Sequence, residues 1–328
     1  MPVWRVNSDF KNQATGNFSF KGEVTQMDRR TNRIGKGRFS SALGAVCIFV
    51  SLAMAVPSYG ENILNKIEKT GKVTMGFREG SVPFGFMTEK GEWVGFGMDL
   101  GYEIVNELSI KFGKKIELVK KPINPKTRIP MVANGTVDIG IGSTTITLAR
   151  EETVDFSLPY FLTGTRLLVP KGSSIREFPD LAGKRVGMGS GSTANIKGID
   201  RAIESGLIKP ACKKVLFEEH NKGFLALQQG KIHAYFTDAS QLAGMQAKAR
   251  MPQDWEIVGR YLTYEPYGII LPENQGEWRD FVNATLIGII KNGRFAAIYD
   301  KWFGPNGEVP LPMSAEYKTL LKALSYPD

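Results

Sequence analysis

Arginine recurs in this sequence where anion chemistry needs it, just after short runs of β-forming residues. Arg78 opens Arg78-Glu79-Gly80-Ser81-Val82-Pro83-Phe84 behind the run 73–77. Arg150 closes Gly142-Ser143-Thr144-Thr145-Ile146-Thr147-Leu148-Ala149-Arg150 behind the run 137–141. A strand feeding a glycine and four hydroxyl residues, with a guanidinium on the next turn, gathers backbone N–H groups and positive charge on one spot. That is a cradle for a carboxylate. Gly189-Ser190-Gly191-Ser192-Thr193 follows the run 185–188 and leads into a helical pattern whose free N–H groups also favour an anion. Thr237-Asp238-Ala239-Ser240 places an acid at the carboxyl end of the run 232–236, where it can hold an ammonium group. His220 lies in Glu218-Glu219-His220-Asn221, behind the run 214–217. Plainer readings stand beside these. Taken on its loop alone Arg78 reads first as a solvated surface side chain, while Thr147 reads equally as the cap of a helix decorated by Arg150-Glu151-Glu152, and Asp238 as the cap of its own helix.

Other chemistries find less support. His220 and His233 with Cys47 and Cys212 make no metal-ligand spacing, so neither a metal nor a cofactor is expected. The glycines at 189 and 191 fit neither G-x-x-x-x-G-K-[ST] nor G-x-G-x-x-G, and no G-x-S-x-G elbow presents a nucleophilic serine.

The elements that must position these loops alternate. Strands are predicted at 73–77, 116–119, 137–141, 166–169, 185–188, 214–217, 232–236 and 267–271. Between and after them apolar residues repeat at helical spacing, as in Leu100, Ile104, Val105, Leu108 and Phe112, or Trp278, Phe281, Val282, Leu286, Ile289 and Ile290. A last helix is predicted over 295–303, stopped by Gly304-Pro305. This is the pattern of an α/β protein on mostly parallel sheet, which binds ligands beyond the carboxyl ends of its strands. A chain of 328 residues with 42% hydrophobic content has room for about two domains. Without a linker or repeat between them, the chain is expected to cross from one to the other more than once.

The first sixty residues read differently. Arg29, Arg30, Arg33, Lys36 and Arg38 precede an uncharged apolar run over 42–56, the layout of a secretory signal peptide rather than a spanning helix. Residues 1–60 are therefore expected to be a signal peptide with an upstream extension. Val46 before Cys47 argues against a lipid anchor. Removing this segment deletes eight Lys/Arg and three Asp/Glu, taking the net charge from +9 to +4. The remaining basic residues form no stripe, which argues against nucleic acid. Only Cys212 remains, so no internal disulfide is expected.

Taken in order, the segments resemble the polar amino-acid-binding proteins of periplasmic ABC transporters, and most closely the glutamate/aspartate-binding branch. The resemblance covers about 61–304 and is carried by Arg78 to Phe84, Arg128-Ile129-Pro130, Asn134-Gly135-Thr136-Val137-Asp138 and Gly142-Ser143-Thr144-Thr145. Phe156-Ser157, Gly164-Thr165-Arg166-Leu167-Leu168, Trp255-Glu256-Ile257-Val258-Gly259 and Tyr299-Asp300-Lys301-Trp302-Phe303 complete it. Gly97, Gly140 and Ile141 depart from the residues usual there.

The resemblance implies a type II periplasmic-binding-protein fold. One lobe would be 61–164 plus 265–328 and the other 165–264, joined by a two-stranded hinge. It implies that Arg150 with Ser143, Thr145 and Thr193, next to Ser192, holds a ligand's α-carboxylate, and that Asp238 takes its ammonium. Arg78, Arg128 and His220 match the pocket for a side-chain carboxylate. L-glutamate or L-aspartate, an inner-membrane ABC permease, a periplasmic location and a monomeric state follow from the same likeness. Three guanidinium groups against Asp238 would leave the site at +2, a surplus suited to an acid. The rival expectation is an exported cyclohexadienyl-type dehydratase on the same fold, whose proton donor would be Glu79, Glu218 or Glu219.

Overall fold

The computed structural model describes residues 61–326. The expected signal peptide and upstream extension lie outside the described residues. Among those described, no helix is long and apolar enough to cross a membrane.

Asn62 caps the first helix, α1 (Ile63–Thr70), its side-chain oxygen accepting from Asn65 N at 3.2 Å. Strand β1 (Lys72–Phe77) is followed by a small antiparallel sheet of β2 (Gly80–Ser81), β3 (Gly85–Met87) and β4 (Trp93–Val94). Helix α2 (Phe96–Phe112) buries Leu100, Ile104 and Leu108, which its period places on one face. Then come β5 (Glu117–Pro122), α3 (Arg128–Ala133), β6 (Ile139–Ile141), α4 (Leu148–Glu151) and β7 (Asp155–Phe156). Both β5 and β6 run parallel to β1, one on each side.

The ten-residue β8 (Phe161–Pro170) carries the chain into a second sheet. There follow β9 (Arg185–Gly189), α5 (Thr193–Glu204), β10 (Lys213–Phe217), α6 (His220–Gln228), β11 (Ala234–Asp238), α7 (Ala239–Ala247) and β12 (Trp255–Val258). The strand order is β10-β9-β11-β8-β12, with β9, β10 and β11 parallel and β8 antiparallel to its neighbours. The chain returns along β13 (Tyr264–Tyr267), antiparallel to the first half of β8, with Tyr264 opposite Gly164 and Tyr267 opposite Phe161. Strand β14 (Ile270–Leu271) completes the first sheet in the order β5-β1-β6-β14-β7. Helices α8 (Gly276–Lys291), α9 (Arg294–Phe303) and α10 (Ala315–Leu324) end the described chain. Two sheets joined by two paired crossings are thus the scaffold of the molecule.

Each sheet buries both faces, as parallel strands require. In the second, Leu167 and Phe236 face one core while their chain neighbours Leu168 and Tyr235 face the other. This is the two-residue alternation of a strand. In the first, an aromatic cluster of Phe84, Phe96, Phe161, Tyr267, Tyr299 and Phe303 fills one side, and Val132, Val137, Val154, Phe156 and Ile270 the other.

Three elements differ from expectation. The apolar run 267–271 is two strands, because Tyr267 pairs with β8 while Ile270 turns to β6 and β7. A strand at Trp255–Val258 forms the edge beside β8. The helix over 295–303 is not the last. Beyond Gly304, α10 starts at a Ser314 cap and buries Tyr317, whose hydroxyl donates to Tyr160 O at 2.8 Å.

Candidate ligand-binding site

The carboxyl ends of β1, β6, β9 and β11 converge between the sheets, and the loops singled out in the sequence meet there. Arg150, on the single turn of α4, is buried. Its Nη1 donates to Thr145 O at 2.6 Å, and its Nη2 reaches across to the exposed Thr193 Oγ1 at the start of α5, at 3.0 Å. Thr147, the N-cap of α4, makes no side-chain cap bond. Ser192 is buried at the N-cap of α5, likewise without a cap bond. Ser143 is buried, its hydroxyl 3.2 Å from that of Ser81.

Asp238 ends β11 and precedes α7, yet its carboxylate does not cap that helix. Instead Oδ1 accepts from Asn195 Nδ2 at 2.9 Å, and Oδ2 accepts from Tyr267 Oη and from Gln241 Nε2 at 3.4 Å. Burial pushes this carboxyl upward, opposed by the bonds from Tyr267 and Asn195 and by the charge of Arg128.

Arg78 is 1% exposed and Arg128 4%, so neither is a surface arginine. Arg128 Nη1 donates to Ser143 O at 2.6 Å and to Thr144 Oγ1 at 3.0 Å, while its Nε has no partner. Arg78 Nη2 lies 3.5 Å from Glu219 Oε2, and its Nε and Nη1 have no partner. Burial lowers the pKa of all three arginines, and for Arg128 the charges of Arg150 and Arg78 lower it further. Arg128 thus feels the charge of the other two guanidinium groups. His220, 3% exposed, places Nδ1 3.0 Å from Tyr235 Oη. Burial and the nearby Arg78 and Arg128 push its imidazole well below the usual histidine range, which keeps it neutral.

Sequence reasoning missed several members. Asn195, Gln241 and Tyr267, from three elements, hold Asp238. Glu265 of β13 is 2% exposed and accepts from Thr145 Oγ1 at 2.5 Å. Burial, then the charge of Asp238, pushes its carboxyl up to about 7. The expected charge count therefore needs correction. Three guanidinium groups meet three carboxylates, Asp238, Glu219 and Glu265, not Asp238 alone. The signal for Glu265 was a lone acid between aromatics in Tyr264-Glu265-Pro266-Tyr267.

The two sides of the cleft touch closely. A Cβ built on Gly244 of α7 would lie 2.1 Å from Val82 O, and one on Gly191 would lie 2.3 Å from Pro125 O. Only glycine permits these approaches.

Comparison with known proteins decides the kinship. Residues 73–305 match the model for bacterial extracellular solute-binding proteins, family 3. The chain belongs to this family. The solute-binding protein is 36% identical to the glutamate/aspartate import solute-binding protein of Salmonella typhimurium, over 79% of this chain and 87% of that one. It is 34% identical to the L-glutamate/L-aspartate-binding protein of Pseudomonas aeruginosa, with the same coverage of both chains. Among solved structures, it resembles an ancestral amino acid-binding protein, a precursor of cyclohexadienyl dehydratase. That match has a TM-score of 0.63 and 29% identity over 74% of this chain and 99% of the other. The fold of the solute-binding protein is that of the type II periplasmic binding proteins.

Proposed function

We propose that this protein binds L-glutamate or L-aspartate between two lobes, 61–164 with 265–328 and 165–264, and delivers it in the periplasm to an inner-membrane ABC permease. Arg150, Ser143, Thr145, Ser192 and Thr193 take the α-carboxylate, Asp238 the ammonium, and Arg78, Arg128 and His220 the side-chain carboxylate.

One observation carries the reading: two buried guanidinium groups, Arg78 and Arg128, retain N–H donors without acceptors. A buried donor left unmet costs about 1–3 kcal/mol, more when charged. A second ligand carboxylate supplies the acceptors. An amide leaves at least one guanidinium without a charged partner, at about 3–5 kcal/mol, or two to three orders of magnitude in affinity. Selection follows from these donors and not from surplus charge, since the site's carboxylates balance its arginines. Glutamate and aspartate differ by one methylene, worth about 1–3 kcal/mol.

Titration calorimetry with glutamate, aspartate, glutamine and asparagine tests the reading. The acids are expected to bind at least a hundredfold more tightly than their amides, and equal affinities would overturn it. The dehydratase alternative has weaker support, because Glu79 and Glu218 are exposed and Glu219 faces Arg78. Turnover of prephenate or arogenate by the purified protein would restore it.

A further inference from the structure

Glu265 sits on the returning crossing, opposite Thr163 of β8. Its Oε2 accepts from Thr145 Oγ1 and its Oε1 from Thr263 Oγ1, both at 2.5 Å. Thr145 also gives its carbonyl oxygen to Arg150 Nη1 at 2.6 Å. The charged groups facing Glu265 are Arg150 from α4 and Asp238 from the end of β11. The pairing strand contributes Thr163, and Thr165 Oγ1 stands 2.8 Å from Thr263 Oγ1. A threonine hydroxyl has one hydrogen to donate. While Glu265 is ionised, the hydrogen of Thr145 is committed to it and is not available to a ligand.

We propose that Glu265 is a positioning residue which takes up a proton as an acidic amino acid is bound, and so turns the Thr145 hydroxyl toward the ligand's α-carboxylate. The proton comes from solvent and adds to Oε2. The new O–H then donates to Thr145 Oγ1, and the Thr145 hydroxyl, its own O–H intact, turns to donate a hydrogen bond to the ligand's α-carboxylate. No covalent bond other than this O–H changes.

Charge drives the step in the same direction. The ligand carboxylate engages Arg150, whose charge, after the hydrogen bonds from Thr145 and Thr263, favours the ionised form of Glu265. The ligand ammonium offsets part of this at Asp238, but the ligand as a whole brings a charge of −1 into a cleft whose own charges balance when Glu265 is ionised. Protonating Glu265 restores that balance. With its carboxyl pushed up to about 7, Glu265 stands near the point of taking the proton at neutral pH.

This inference rests on the acidic-ligand reading, and one experiment separates the two. Glutamate is titrated into the full protein at pH 7 in phosphate and in Tris, whose ionisation enthalpies differ, and the heat difference gives the protons exchanged. A sizeable fraction of one proton is expected to be taken up, shrinking toward pH 5. Affinity is expected to fall between pH 6 and 8.5, approaching about tenfold per pH unit above 7. In Glu265→Gln, whose amide donates to Thr145 without titrating, uptake is expected to vanish and affinity to become flat over this range. Thr145→Val is expected to lose affinity at every pH. Glutamate binding by the wild type without proton uptake overturns the inference and leaves the ligand reading intact. So does uptake that persists in Glu265→Gln, which assigns the proton to another group such as His220. Should Glu265→Gln fail to fold, Thr263→Val takes its place: losing the Thr263 bond to Oε1 is expected to raise the pH range over which the proton is taken up, and an uptake profile that does not move overturns the inference. Failure of the wild type to bind either acid overturns both readings.

Discussion

The hydroxyl of Tyr267 donates to the Oδ2 of Asp238. Tyr267 belongs to the strand that returns between the sheets, and Asp238 ends a strand of the second sheet. The carboxylate proposed for the ligand's ammonium is thereby tied to the chain segment on which the two halves are joined.

Tyr267→Phe keeps the ring, stacked on Phe161 with centroids 5.6 Å apart, and removes that bond together with a long 3.5 Å contact to Ser240 Oγ. A hydrogen bond to a charged group is worth about 1.5–3 kcal/mol, so affinity is expected to fall about tenfold to a hundredfold. Every amino acid carries an ammonium group, so glutamate and glutamine are expected to lose equally. A change in their ratio on calorimetry would dissociate Asp238 from the ammonium.

Arg128→Met tests the other end. Methionine fills much of the space without charge, and glutamate is expected to lose about a hundredfold in affinity while glutamine changes less than tenfold. An unchanged preference would remove Arg128 from the site.

Gly244→Ala tests whether the cleft closes only on a ligand. Within helix α7 alanine is favoured over glycine by about 1 kcal/mol, so if the ligand-free protein holds α7 away from Val82 it is expected to melt at the same temperature or slightly higher. Its methyl group would stand 2.1 Å from Val82 O across the cleft, so glutamate affinity is expected to drop at least tenfold. Small-angle scattering of the variant is expected to show no compaction with saturating glutamate. Compaction like that of the wild type would mean that this contact is absent from the liganded form.

Tyr317→Ala addresses the helix beyond Gly304. The ring is 1% exposed and packs on Phe161, at the start of β8, with centroids 5.1 Å apart. Deleting a buried aromatic costs about 3–5 kcal/mol, so a marked fall in melting temperature is expected. An unaltered melt would show that α10 contributes little to the core.

The loops behind β1, β6, β9 and β11 were legible because each pairs a strand pattern with residues whose chemistry is plain at the level of sequence. The partners of Asp238 were not. Asn195, Gln241 and Tyr267 lie on three elements, and only the fold brings them to one carboxylate. Glu265 was hidden for a different reason. The second crossing reads as a boundary between domains, and a boundary draws no attention as a place for ligands, yet its buried acid overturned the expected charge surplus. Helix α10 did carry a signal, since Tyr317, Leu320, Leu321 and Leu324 repeat at helical spacing behind Ser314. Gly304-Pro305 does end α9 at Phe303, but a further helix begins at Ala315.

The crossings β8 and β13 form a ribbon held rung by rung from Phe161 with Tyr267 to Gly164 with Tyr264. Such a ribbon flexes across its flat side far more readily than it slides within its own plane, since sliding would break every rung at once. If binding swings the two halves apart and together, that swing is therefore confined to a single arc, and sideways drift is suppressed. Such a swing would bring the Arg150 fork back over Thr193 without a search, so the accuracy of the grip would be set by the tape that joins the jaws as much as by the jaws.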